Sequence, residues 1–191
     1  MLDGGHIRVL AKKAGHTYNP DYIEKIAHAC TCQGEEAYRI LYYDCESIRC
    51  SATLPISGQT KEFYPSNDWL TELARKDLFA VRRGTLKFRG YILRRAKIPY
   101  NQRALKDSDF QPAFEQKGVD MRIGLDMAIF SSTRAVDRIC LATNDTDCIP
   151  AMKHARRSGI QIALIELPNR KASSELLAHA DFRRTIEWPA P

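Results

Sequence analysis

The spacing of apolar positions changes several times along the chain, and each change marks an element. Behind Asn19 and Pro20, apolar Tyr22, Ile23, Ile26, Ala27 and Cys30 recur three and four residues apart, which predicts an amphipathic helix. Arg39-Ile-Leu-Tyr-Tyr-Asp44 is a short apolar run and predicts a strand that ends in a carboxylate. Residues 45–65, punctuated by Pro55, Gly58 and Pro65, read as an irregular connection. A helix is expected from about Asn67 to Lys76. Phe79–Arg83 and Leu86–Arg89 read as strand segments around a turn at Gly84, with Leu86 and Phe88 on one face and Lys87 and Arg89 on the other. Residues 96–116 are polar and loop-like. A helix from about Val119 to Phe130, a strand at Ile139–Thr143 and a helix from Ile149 to Ser158 follow, the last ending at Gly159. Gln161–Ile165 is the next strand; Pro168 breaks it, and Ser174–Ala180 closes the pattern with a short helix. Strands alternating with helices predict an α/β fold with a mainly parallel central sheet flanked by helices.

The 191 residues suit a single domain, residues 1–191, carrying a basic insertion at about 79–116. No apolar run is long enough to span a bilayer and no signal peptide opens the chain, so no membrane partner and a cytoplasmic location are expected. The six cysteines (Cys30, Cys32, Cys45, Cys50, Cys140 and Cys148) have no standard zinc spacing and are expected as reduced thiols. A homodimer is left open. The formal charge of +6 points to a polyanionic partner, and its distribution sharpens this. Arg82, Arg83, Lys87, Arg89, Arg94, Arg95 and Lys97 fall in one stretch without an acid, interleaved with Phe88 and Tyr91. That composition suits a nucleic-acid backbone met by cations, the alternative being a solvated basic edge whose rings face the core.

The candidate chemistry lies at Leu141-Ala-Thr-Asn-Asp-Thr-Asp147, where an apolar strand stops at two aspartates. Asp145 and Asp147 then occupy a strand-to-helix turn at the carboxyl end of a sheet, where open α/β folds place ligands. Either Asp147 or Asp120 also suits a helix cap. Asp126 falls inside the apolar stripe of Val119, Ile123, Met127 and Phe130 and requires an arginine or a metal as partner; Asp44 is a similar outside candidate. Carboxylates gathered on one edge repel each other and require protons or a cation, and hard oxygen ligands suit Mg²⁺ or Mn²⁺. Such an ion polarises a phosphoryl oxygen, so a phosphodiester is the matching substrate.

Asp3-Gly-Gly, Lys117-Gly-Val-Asp120 and Thr143-Asn-Asp-Thr-Asp147, in this order and among these elements, resemble the NYN domain family, the LabA-like branch of the PIN-domain nucleases. The resemblance implies a Rossmann-like PIN/NYN sandwich whose clustered acids bind magnesium or manganese and cut RNA, single-stranded or structured. Asp3, Asp120, Asp145 and Asp147 match the family's acidic positions and are the implied catalytic and metal-binding residues. On charge clustering alone, Arg82, Arg83, Lys87, Arg89, Arg94 and Arg95 are the expected RNA surface. Two departures stand out: almost no strand precedes Asp3, so the first strand reads as truncated, and His6 stands where an Asn is common. The expected function is a metal-dependent ribonuclease. A non-catalytic RNA-binding or regulatory module on the same fold is the alternative, and an aspartyl-phosphate phosphatase a distant third, since Gly5 stands where that chemistry needs a second Asp.

Overall fold

A computed structural model describes residues 1–65, 69–94 and 104–190 as a mixed α/β protein. The chain divides into two compact units, one of Met1–Asp44, Asp68–Arg83 and Gly118–Pro191, the other of Cys45–Asn67 and Gly84–Lys117.

The first unit is organised around a strand of two residues. β1 (Leu2–Asp3) pairs in parallel with β2 (Ile40–Cys45), Leu2 opposite Tyr42 and Asp3 opposite Tyr43. On its other side Leu2 bridges Ala142, and the Asp3 N–H donates to the Ala142 carbonyl at 3.0 Å. The sheet continues from there through β7 (Arg138–Leu141), β8 (Gln161–Glu166) and β9 (Phe182–Thr185), all parallel. β2 is buried along its whole length, which is why its sequence is an unbroken apolar run rather than an alternation.

Helices α2 (Pro20–Ala29), α3 (Trp69–Ala74), α4 (Val119–Thr133), α5 (Ile149–Arg157) and α6 (Ser174–Leu177) match segments whose spacing predicts them. α1 (Gly4–Lys13) does not: a glycine pair after Asp3 reads as a turn, yet Ile7 and Ala11, one turn apart, are fully buried and carry the segment into the core. The glycine has a local reason. A Cβ on Gly4 would stand 2.3 Å from the Tyr42 hydroxyl oxygen, so only glycine lets the helix start this close to β2. α4 packs against α5 and buries Val119, Ile123 and Met127 while Met121, Leu125 and Ile129 face out.

The second unit differs from expectation in three places. Residues 45–65, read as irregular, hold an antiparallel hairpin of β3 (Cys50–Thr53) and β4 (Thr60–Phe63). Part of the expected loop at 96–116 is the strand β6 (Phe110–Lys117), paired antiparallel with β5 (Phe79–Leu93). β5 itself runs unbroken through Gly84, and its irregularity lies between Phe88 and Tyr91, where Gly90 has φ +92°. The unit joins residues 84–117 to residues 45–67. Phe63, Phe88, Tyr91 and Phe114 pack ring against ring with centroids 5.4–5.8 Å apart and form its centre. All six cysteines are free thiols. Among the described residues no helix is long and apolar enough to cross a membrane.

Candidate active site

The acids gather where β1 and β7 end. Asp3 caps α1, its Oδ1 accepting the His6 N–H at 3.0 Å. Its Oδ2 accepts the hydroxyl of Thr143 at 2.9 Å, across 140 residues of sequence. Thr143 is buried, and its hydroxyl oxygen accepts the Asp145 N–H at 3.2 Å. Asp145 in turn accepts the Asp147 N–H at 2.9 Å and caps a single 3-10 turn over Thr146–Cys148. One hydroxyl therefore sets the spacing between the first strand's acid and the turn's two acids. Of the two aspartates in this turn, Asp145 is the cap and Asp147 is the more exposed.

Asp120 arrives from a separate element. It sits in the first turn of α4, behind Gly118 as the cap residue with φ +77°, a conformation that glycine adopts without strain. α4 packs against the 3-10 turn. Burial first, and then the charge of Asp145, with Asp3 and Asp147 adding to it, push the Asp120 carboxyl above its ordinary range. The Cys148 thiol reports the same field: burial followed by Asp145, Asp120, Asp3 and Asp147 pushes it up to about 12. The four acids expected from the sequence are thus brought within electrostatic reach of one another. None of them is ion-paired among the described residues.

The two outside candidates belong elsewhere. Asp44, fully buried, is ion-paired with Arg8 at 2.5 Å and accepts the Tyr42 hydroxyl at 3.2 Å. Asp126 accepts Arg82 Nε at 2.8 Å and Nη2 at 3.3 Å, together with the Tyr43 hydroxyl at 3.0 Å. Of the two partners open for Asp126, an arginine or a metal, the fold supplies an arginine, Arg82.

The NYN domain profile matches residues 37–187. The chain belongs to the NYN domain family. NYN domains are generally nucleases. Asp120, Asp145 and Asp147 lie inside the matched span and Asp3 outside it. No curated protein matches the chain. Among solved structures it is similar to a protein of unknown function from Vibrio parahaemolyticus, with 19% identity, a TM-score of 0.50, and coverage of 94% of this chain and 85% of that one. That likeness is one of fold.

The basic stretch of this NYN protein is more heavily paired than its sequence implies. Arg82, expected on the RNA surface, is committed to Asp126, and Arg83 donates to the Thr71 hydroxyl at 2.8 Å. Arg89 pairs with Glu115. Arg94 reaches the Phe110 carbonyl at 3.3 Å and is exposed, as is Lys87. Arg95 lies outside the described residues.

Two residues that do not stand out in the sequence join the acids. Thr143 reads as the last residue of a strand; only the fold shows what its hydroxyl joins. The other is Arg170, in the turn after β8. The Ser173 N–H on the same loop donates to Asn144, beside the acids, at 3.2 Å, which fastens the turn of Arg170 to this edge; burial lowers the pKa of His6, with Asp3 opposing that shift and Arg170 adding to it. A basic residue following Pro168 at the end of a buried strand is the signal that was available.

The acids offer hard oxygen donors, the ligand type of magnesium and manganese. Among the described residues no three His, Cys, Asp or Glu side chains stand close enough to hold a metal as they are. One or two carboxylates completed by water is the arrangement that fits such a set, and it is the one magnesium commonly takes. A cavity of about 450 Å³ lies at the opposite end of these strands, lined by Met1, Ile40, Arg138 and Cys140 among others, and takes no part in the acidic edge.

Proposed function

We propose that this NYN protein is a metal-dependent ribonuclease of the LabA-like, PIN-related kind, hydrolysing RNA phosphodiester bonds at Asp3, Asp120, Asp145 and Asp147. The observation that carries this reading is that one hydroxyl, that of Thr143, ties Asp3 at the end of β1 to the turn of Asp145 and Asp147, while α4, which begins with Asp120, packs on the same turn, none of the four being ion-paired among the described residues. A fold that places like charges together without counter-ions of its own loses stability by doing so. A bound cation reverses that loss.

When bound, Mg²⁺ or Mn²⁺ supplies Lewis acidity toward a phosphoryl oxygen and makes a water a better nucleophile. The protein's own residues set the stage. The His6 N–H and the Thr143 hydroxyl hold Asp3; Thr143 and the Asp147 N–H hold Asp145; the start of α4 presents Asp120 opposite them. Lys87, Arg94 and Arg95 are the cations of the second unit that meet the RNA backbone, in the cytoplasm.

The test is cleavage of a labelled single-stranded RNA in Mg²⁺, Mn²⁺ or EDTA, with Asp145→Asn alongside. Cleavage with metal, absent in EDTA and reduced roughly 100-fold or more in Asp145→Asn, is the expected result. The second reading, a non-catalytic RNA-binding module, draws on the lack of a ready three-ligand cluster among the described residues. Binding without cleavage under every metal condition favours it.

A further inference from the structure

Four carboxylates repel the very substrate they are to cut. A phosphodiester approaching this edge meets negative charge from every acid, and a resident cation is needed to hold it there. The described residues of the edge place one such cation. β8 ends at Glu166, and the chain turns through Leu167, Pro168 and Asn169, the last with φ +63°. The turn is closed by the Arg170 N–H donating to the Leu167 carbonyl at 3.1 Å.

The turn is tied down on both sides. Buried Glu166 accepts the Ala172 N–H at 2.8 Å and Arg183 Nε at 2.6 Å. Asn144, next to the acids, accepts the Ser173 N–H at 3.2 Å, which fastens the loop after β8 to the loop after β7. Arg170 is therefore carried on a pinned turn at the carboxylate edge while its side chain is exposed. Among the described residues its guanidinium has no hydrogen-bond or ion-pair partner, unlike those of Arg8, Arg82, Arg138, Arg156, Arg183 and Arg184. A planar, unspent guanidinium matches two non-bridging oxygens of a phosphodiester, which accept a pair of parallel hydrogen bonds.

We propose that Arg170 is the residue that grips the RNA phosphodiester at the acidic edge, an inference that rests on the ribonuclease reading. It binds substrate, and the acids and their cation carry the hydrolysis. Asn144 acts one step back as a positioning residue, holding the turn that carries Arg170.

The experiment uses the full chain and a fluorescein-labelled single-stranded oligoribonucleotide. Cleavage is followed in Mn²⁺ and Mg²⁺, and binding in EDTA over a series of salt concentrations, for wild type, Arg170→Ala, Arg170→Gln, Arg170→Lys and Lys13→Ala. Lys13 is an exposed cation at the far end of α1 and controls for loss of one charge. Arg170→Ala and Arg170→Gln are expected to lose roughly 10- to 100-fold in kcat/KM, with unchanged thermal unfolding. The slope of log affinity against log salt should flatten by about 0.7, the contribution of one phosphate contact on a single strand. Arg170→Lys should fall between wild type and Arg170→Ala, and Lys13→Ala should match wild type.

A wild type that cleaves while both neutral Arg170 variants cleave and bind equally well overturns the assignment and leaves the ribonuclease reading standing. Equal losses in Arg170→Ala and Lys13→Ala overturn it too, as a bulk-charge effect. A wild type that neither binds nor cuts RNA removes the ribonuclease reading, and this inference with it.

Discussion

Two sets of acids occupy the same unit and are treated in opposite ways. Asp44, Asp126 and Glu35 each face arginine: Arg8 for the first, Arg82 for the second, Arg138 and Arg184 for the third. Asp3, Asp120, Asp145 and Asp147 face one another instead. Residue type does not separate the sets. Neither does position on the sheet, since Asp3 and Asp44 both stand at the ends of strands, β1 and β2 being direct neighbours. The separation lies in the partner. An acid given an arginine is neutralised within the fold, and an acid given another acid is not.

The largest stability effect that tests this division belongs to the buried pair. Arg8→Met removes the guanidinium paired with buried Asp44, and about 3–5 kcal/mol of folding free energy should be lost, measured by denaturant unfolding. A loss below about 1 kcal/mol would mean that the pair is incidental to the fold.

Glu35 gives a smaller effect with a pH signature. The Arg184 guanidinium, assisted by the Cys32 N–H and Arg138, holds its carboxyl down at about 2, against 4.5 for an ordinary glutamate. A folded-state value below the unfolded one gives stability that is present above about pH 4.5 and is lost as pH falls toward 2. Glu35→Gln should therefore be destabilised by about 2 kcal/mol at neutral pH, and its deficit should shrink steadily as the pH is lowered through that window. A deficit independent of pH would assign Glu35's contribution to packing.

The smallest effect has the opposite sign. The folded state pushes the Asp120 carboxyl up, so its ionised form works against folding. Asp120→Asn in EDTA should raise stability by about 0.5–1 kcal/mol, the size of a partly exposed like-charge contact. Destabilisation there would return Asp120 to the structural set.

Much of this division could not be read from sequence, for a simple reason. Asp126 pairs with Arg82 across 44 residues, and Asp44 with Arg8 across 36; periodicity carries no information about such partners. It did carry the elements themselves where burial is strongly patterned. Tyr22, Ile23 and Ile26 on α2, the unbroken run of β2, and Ile149, Met152 and Ala155 on α5 all specify their structures locally. Elements held by their neighbours were not legible. β4 is Thr-Lys-Glu-Phe and β9 is Phe-Arg-Arg-Thr, both mostly polar, and β6 is interrupted by Pro112; each is a strand because a partner strand supplies its hydrogen bonds. The acidic edge was legible as motifs, and the structure brings those motifs together. Thr143 and Arg170 were not, since a hydroxyl and a guanidinium acquire meaning here only from what stands beside them.

The bond between Thr143 and Asp3 also has a consequence in time. Its two ends are separated by 140 residues, and β1 lies between strands contributed by the first quarter and the last third of the chain. In a nascent polypeptide Asp3 is made well before Thr143, the residue that holds it. Contacts this distant in sequence are among the last to close, so the acidic edge comes into being only after Thr143 and the turn that follows it have been made. Until then the chain carries Asp3 without the hydroxyl that joins it to Asp145.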